Sequence, residues 1–514
     1  MVLFYFTETS YVGDVSERMN GMEYLILVPV FLTTIGGALL YAFRFESRKS
    51  REIYITALLA MNCAVVWLIA FFSPEEPLEL ARFADNLQLT FFVDGPAKIF
   101  SCLVATLWIP ATIYAFEYMD YEKHHLEKED KWVNSFFSFY TMTCGITIGL
   151  AYAGNPLTMY VFFEALSLIT LPLVIHLQNN RSVRAGRRYL RYMLGGAAFG
   201  FITLVFLVVY GDASVFTTAG IIDFSAHPEI GDLLLWVYLC GFCGFGVKTA
   251  LFPFGKWLIS ASVAPSPVTA LLHAVAVVKA GAFVLVRLTY YCFGIQNLNG
   301  TWVQYAVFAL VAFTICYGST MAVKETHFKR RLAYSTMSNL SYILLGVVMM
   351  NKLGLIAAFC HLVFHAFMKI CGFFCAGTVM QRSERNYVDE LNGVGKEMPL
   401  VMSCFTVTGI ALTGIPPLAG FVSKWKIAES ILATSDPVLY IGAAVLLYSA
   451  LLTGVYMLTI VVRAWFPVRD SDVTTLERKI PNAYMTFPLM FFAIMIIGFG
   501  LFAQPLIRFF ESLM

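Results

Sequence analysis

A polypeptide that crosses lipid must satisfy its own backbone hydrogen bonds, and a helix of about 20 mostly apolar residues does so across one bilayer. This chain of 514 residues offers about fourteen such stretches, at roughly 22–43, 53–72, 97–117, 133–153, 155–177, 189–210, 233–254, 266–291, 303–323, 331–350, 353–380, 398–434, 438–466 and 484–511. That repetition fixes the class as an all-α polytopic membrane protein. Only 13% of the residues are charged, against about 25% in soluble domains, so a water-facing surface of ordinary size cannot be built. The net charge of +2 is spread over short loops and gives no basis for nucleic-acid binding. The eleven cysteines fall in apolar stretches, and the local pairs Cys240/Cys243 and Cys371/Cys375 read as small packing residues rather than disulfides or metal ligands. Met1–Asn20 holds Glu8, Asp14 and Glu17 and lacks the pattern of a cleavable signal peptide.

Basic residues test the count. With the amino terminus outside, the odd-numbered loops hold 24 of the 35 lysines and arginines, including Arg181, Arg184, Arg187, Arg188 and Arg191 in one loop. The outer loops and tails hold four: Arg18, Arg82, Lys352 and Arg508. This is the asymmetry of the positive-inside rule, and a missed helix would invert every later loop. Both termini are therefore expected on the outer side of a bacterial or archaeal cytoplasmic membrane.

Seven basic residues remain within spans: Lys98, Lys248, Lys279, Arg287, Lys369, Lys424 and Lys426. Lys98 and Arg287 lie near span ends, where long side chains reach the interface. The others sit deeper, where a lysine costs about 2.5–3.5 kcal/mol on insertion scales. An amine held in low dielectric relieves that cost by releasing its proton, which suits it to passing protons. Lys248 precedes Pro253 in the seventh span, and Lys424 and Lys426 follow Pro416-Pro417 in the overlong twelfth. Prolines break helices, and freed carbonyls are tolerated in a membrane only inside protein or beside a wet cavity. Glu164 is the one acid in the middle of the apolar fifth span; it must be protonated or paired, and Lys248 is the expected partner. The eighth span carries His273 and Lys279. The eleventh carries His361, His365 and Lys369 at intervals of four, stacked on one helix face. A relay of protons fits these groups best. The pair His361/His365 also raises an intramembrane zinc enzyme, but Leu362 stands where a His-Glu-x-x-His motif needs glutamate.

In order along the chain, Asp94-Gly95, Phe163-Glu164-Ala165-Leu166, Gly246-Val247-Lys248 with Pro253-Phe254 and Trp257, Ala264-Pro265-Ser266-Pro267, His361 to Lys369, and Gly414-Ile415-Pro416-Pro417 with Lys424 resemble the antiporter-like subunits of respiratory complex I, Mrp-type cation/proton antiporters and membrane-bound hydrogenases. The resemblance implies fourteen helices with broken helices 7 and 12. It also implies two inverted five-helix repeats, at 133–294 and 295–466, preceded by helices 1–3 in 1–132 and followed by helix 14 in 467–514. It implies that Glu164 pairs with Lys248 and that Lys279, with His273 nearby, and Lys424 continue the proton path. Some family members carry glutamate at the last position. The chain is similar to the shorter members, without a lateral-helix extension.

No cofactor is expected, since nothing reads as an iron–sulfur run or a nucleotide loop. The expected partners are other membrane subunits, protons and sodium ions, and the lipid bilayer. The expected path runs from the inside to Lys248 and Lys279, through His365 and Lys369, and out near Lys424, with Glu164 setting the proton affinity of Lys248. The reading favours a redox-driven complex of hydrogenase or complex I type over a member of a sodium/proton antiporter.

Overall fold

The computed structural model describes residues 23–467 and 478–513, apart from 44, 46, 73, 75 and 85. The reading of Met1–Asn20, and the basic residues Arg18, Arg44 and Arg469, lie outside the described residues. Among the described residues eleven helices are long and apolar enough to cross a membrane. The stretches read as the fourth and tenth spans are also helical, at Asp130–Ala151 and Phe328–Val348. They fall below that hydropathy because they carry polar residues turned into the protein, among them Asn134, Ser138, Ser335, Ser338, Asn339 and Ser341.

Helix starts follow local chemistry. Asn155 accepts a hydrogen bond from Thr158 N at 2.9 Å, Asn351 from Gly354 N at 2.7 Å, and Asp94 from Ala97 N at 3.1 Å. Each satisfies an orphan donor of a first turn, and prolines follow Asp94 and Asn155 within that turn, where their missing N–H is harmless.

Burial ranks the helices. Every residue of the apolar window in Ser266–Phe293 is buried, and 94% of that in Lys352–Ser383, whereas the Arg48–Phe71, Ile441–Trp465 and Ala483–Leu501 windows are 33% buried. The first two form the centre of the molecule. Lys352–Ser383 packs against Ser266–Ala274, Phe328–Val348, Pro399–Thr413, Ala419–Leu432 and Ala483–Leu501. The expected proton-active residues of the eighth and eleventh spans therefore lie in the interior.

Several elements differ from the sequence expectation. The seventh span stops being helical at Gly246, not near Pro253. Turns follow, a new helix runs Lys256–Ala261, and Lys248 lies inside the break rather than a turn before it. Ala250 takes φ +59, a left-handed conformation that closes the turns after Gly246 and keeps helix from resuming before the proline. The twelfth span does break at its prolines, into Pro399–Thr413 and Ala419–Leu432, with Gly414 at φ +91. The eighth span is interrupted too: Ser266–Ala274 and Val277–Val286 are separated at Val275 and Ala276, and Arg287–Phe293 winds as a π-helix. Neither feature has a proline or glycine at the irregular step to announce it. The segment between the second and third spans, expected as loop, contains an antiparallel hairpin of Leu78–Ala84 and Leu87–Phe91.

Arg287 corrects an expectation. It does not reach an interface: it is 1% exposed and forms a bidentate pair with Asp94, with Nη2–Oδ1 at 2.6 Å. Phe216, Phe283 and Tyr291 surround its guanidinium at 4.7–5.1 Å. Lys329 and Arg331, counted as loop residues, are also buried, at the start of Phe328–Val348.

Candidate proton-relay site

The first group of charges forms where the seventh span breaks. Lys248 Nζ stands 4.0 Å from Glu164 Oε1. It also donates to the carbonyl of Phe163 and lies over that residue's ring at 3.2 Å. Lys248 is almost wholly buried, while Glu164 retains 20% side-chain exposure, so the carboxylate occupies the edge of the protein and the amine its interior. The carbonyls released by the break are retaken locally: Trp257 Nε1 donates to Val247 O at 2.7 Å, and Thr249 Oγ1 to Gly246 O at 2.8 Å. The lysine is thus not needed to cap the broken end. Gly281 of Val277–Val286 lies directly behind it, and a Cβ there would come 2.8 Å from Lys248 Cβ. This close approach brings the helix that carries Lys279 against the break.

The second group is a continuous line across two interior helices and the twelfth span. Lys279 Nζ meets His365 Nδ1 at 2.7 Å. The rings of His365 and His361 stack with centroids 5.6 Å apart. His361 Nδ1 meets Ser423 Oγ at 2.9 Å, and the next residue is Lys424, whose Nζ donates to the carbonyls of Leu412 and Thr413 at 2.7 and 3.0 Å. Those carbonyls belong to the end of Pro399–Thr413, opened by the Pro416-Pro417 break. Lys424 therefore answers the broken end directly, unlike Lys248. Tyr342 lies between, its ring centroid 5.4 Å from that of His361 and 5.3 Å from Lys424 Nζ.

Lys369 stands apart from that line. Its Nζ donates to Ser335 Oγ at 2.7 Å and to Leu332 O at 3.2 Å, and Tyr456 OH shares Ser335. On the eleventh span it is His361, not Lys369, that touches the twelfth span, through Ser423, while Lys369 lies one helical turn beyond His365 on the other side. His273 is buried beside Phe373, with centroids 4.8 Å apart, and among the described residues neither ring nitrogen has a partner within hydrogen-bond geometry. No direct hydrogen bond joins Lys248 to Lys279 among the described residues. Lys426 leaves the group altogether, pairing with Glu429 at 2.9 Å on the helix exterior.

Sequence reading missed Lys329, whose Nζ donates to Ala264 O at 2.9 Å. It lines a cavity of about 550 Å³ with Tyr118, Glu122 and His327. Its place in a basic triplet hid it, since run and loop position both predict exposure. It also missed the hydroxyl connectors Ser335, Ser423 and Tyr342, which no pattern distinguishes from packing residues. Among the described residues no group of three or more His, Cys, Asp or Glu comes together as a metal would require, and His361 and His365 are engaged by Ser423 and Lys279.

Comparison with known proteins places the chain among relatives. Residues 153–453 match the family model described as NADH:quinone oxidoreductase/Mrp antiporter, TM. The chain is 29% identical over 416 residues to NADH-quinone oxidoreductase subunit N of Desulforudis audaxviator, covering 79% of this chain and 80% of that one. It is 30% identical over 348 residues to a probable K(+)/H(+) antiporter subunit of Rhizobium meliloti, covering 66% of this chain and 32% of that one. Its fold is similar to a chain of the Mrp complex from a Dietzia species, with TM-score 0.81 at 19% identity over 96% of both chains. It is also similar to a chain of an archaeal membrane-bound sulfane sulfur reductase, with TM-score 0.78 at 18% identity over 96% of both.

Proposed function

The chain belongs to the NADH:quinone oxidoreductase/Mrp antiporter transmembrane family, and from that premise we propose that it is an antiporter-like subunit that moves protons within a multisubunit, redox-driven membrane complex. The observation that carries this reading is the buried row Lys279–His365–His361–Ser423, joined by two hydrogen bonds and one ring stack, with Lys424 the next residue after Ser423. Packing alone gives no reason to hold two lysines and two histidines there.

In this reading fourteen spans form two inverted repeats, 133–294 and 295–466, with both termini outside. Each repeat contributes a broken helix with a lysine at the break, the arrangement expected of transporters built from repeats. Glu164, on the edge of the protein, is the group a neighbouring subunit can reach. Drawing its carboxylate toward or away from Lys248 changes a close charge interaction in low dielectric, and so the readiness of Lys248 to hold a proton. In this reading bridging water completes the path, which is supported by ring nitrogens of His273, His361 and His365 that lack a hydrogen-bond partner among the described residues. Lys329 and the cavity beside Glu122 provide the inner mouth, within electrostatic reach of His273. Lys424 provides the outer end.

A sodium- or potassium-coupled antiporter component is the second reading, favoured by the match to the Rhizobium antiporter protein. Purification of the native complex separates the two. The redox reading expects companion chains with iron–sulfur or nickel centres, and internal acidification of proteoliposomes when an electron donor is added. Companions without redox centres, and acidification driven only by a cation gradient, would establish the antiporter reading instead.

A further inference from the structure

Beside the seventh-span break, away from the relay, a surface groove changes character along its length. Its loop end is a recess of about 540 Å³ whose cations are Arg181, Arg184, Arg188, Lys256 and Arg330, with no Asp or Glu in its wall. Arg188 is steadied by Ser260 Oγ at 2.6 Å, and Arg330 pairs with Glu325 at 3.1 Å. Arg181, Arg184 and Lys256 have no carboxylate partner among the described residues. Lys256, Ile259, Tyr317 and Tyr334 continue into a second recess of about 480 Å³, walled mainly by Phe252, Phe254, Met337 and Tyr192. The groove lies between the Asn180–Tyr210, Trp302–Lys324 and Phe328–Val348 helices, at the ends where basic residues concentrate.

We propose that this groove is a binding site for one anionic phospholipid, with the phosphate headgroup among Arg184, Arg188 and Lys256 and an acyl chain along Phe252, Phe254 and Met337. Four cations without a carboxylate partner among the described residues, Arg181, Arg184, Arg188 and Lys256, concentrate positive potential that suits an anionic leaflet. Arginine forks match phosphate oxygens. Tyr317 and Tyr334 line both recesses, between the cations and the apolar wall, the place aromatic side chains take between headgroup and hydrocarbon. A free phosphate would satisfy the cations but leave the apolar recess unused, and a zwitterionic lipid would leave the cation excess unmatched. Because residues 252–255 belong to the same non-helical segment as Lys248, and Lys256 opens the helix that follows it, the lipid would also brace the break. That consequence, unlike the binding itself, rests on the transport role proposed above.

The test is native mass spectrometry of the delipidated native complex, titrated with phosphatidylglycerol or phosphatidylcholine. The parent should hold one phosphatidylglycerol far more tightly than phosphatidylcholine, and millimolar inorganic phosphate should not displace it. Lys256→Gln, at an exposed position that folding does not need, should weaken retention roughly fivefold, and Arg184→Gln/Arg188→Gln/Lys256→Gln roughly a hundredfold. Lys49→Gln/Lys128→Gln, exposed cations elsewhere, should bind like the parent. Equal retention in the triple variant, equal affinity for the two lipids, displacement by phosphate, or an acidic segment of a companion chain occupying the groove would each overturn the proposal. Retention is read without any transport assay, so failure here leaves the relay untouched, and loss of transport in Lys248 variants leaves the lipid site untouched.

Discussion

Two buried lysines at helix breaks do different work. Trp257 and Thr249 retake the carbonyls freed near Lys248, whereas Lys424 donates to two carbonyls itself. Lys424→Arg is therefore a discriminating change, since arginine can still donate to Leu412 and Thr413 but cannot release a proton. Assembly should survive while proton transport in proteoliposomes falls at least tenfold; parent-like transport would make Lys424 a structural cap. The Arg287–Asp94 pair belongs to stability instead. Arg287→Ala leaves a carboxylate without its cation in a mostly buried setting and should destabilise the protein by about 3 kcal/mol, seen as a lowered midpoint of thermal unfolding in detergent. The burial of most of these side chains was legible from the sequence, because a charge within an apolar span stands out. Arg287 and Lys329 were not: one lies near a span end and one in a basic run, and in both cases only the tertiary partner, Asp94 or the Ala264 carbonyl, explains the burial.

At the scale of elements, the breaks decide where the charges stand. The twelfth-span break was legible because Gly414, Pro416 and Pro417 announce it. Gly414 holds φ +91, and a Cβ there would come 2.9 Å from Lys424 Cδ. Gly414→Ala should cost about 1–2 kcal/mol of backbone strain and displace the lysine from its carbonyls, so transport should drop with only a modest fall in thermal stability. Unchanged transport would show that the position of Lys424 is not critical. The seventh-span break was legible but misplaced, since proline was taken as the breaking point while the helix already gives way to turns after Gly246, closed by the left-handed Ala250. The eighth-span interruption at Val275 and Ala276 was invisible, because neither residue opposes helix and the conformation is set by the packing of Ser266–Ala274 and Val277–Val286 against the eleventh span and the seventh-span break.

For the whole molecule, the alternation of apolar stretches and basic loops carried the class and the helix order, while the convergence of the eighth, eleventh and twelfth spans came from packing that no single stretch encodes. The proposed orientation makes its own prediction. In intact cells, a membrane-impermeant thiol reagent should label Lys352→Cys and spare Arg184→Cys, read above the background of the parent's eleven cysteines; the reverse pattern would invert the topology. The central claim, that the buried charges move protons, is tested most directly by the ion gradient formed in proteoliposomes holding the intact complex with Lys248→Ala or Glu164→Ala. The relay account predicts that both variants assemble with their companion chains and that proton translocation is abolished or severely reduced in each. Gradients equal to the parent's in both variants would contradict it, and would leave the Glu164–Lys248 pair as a structural contact.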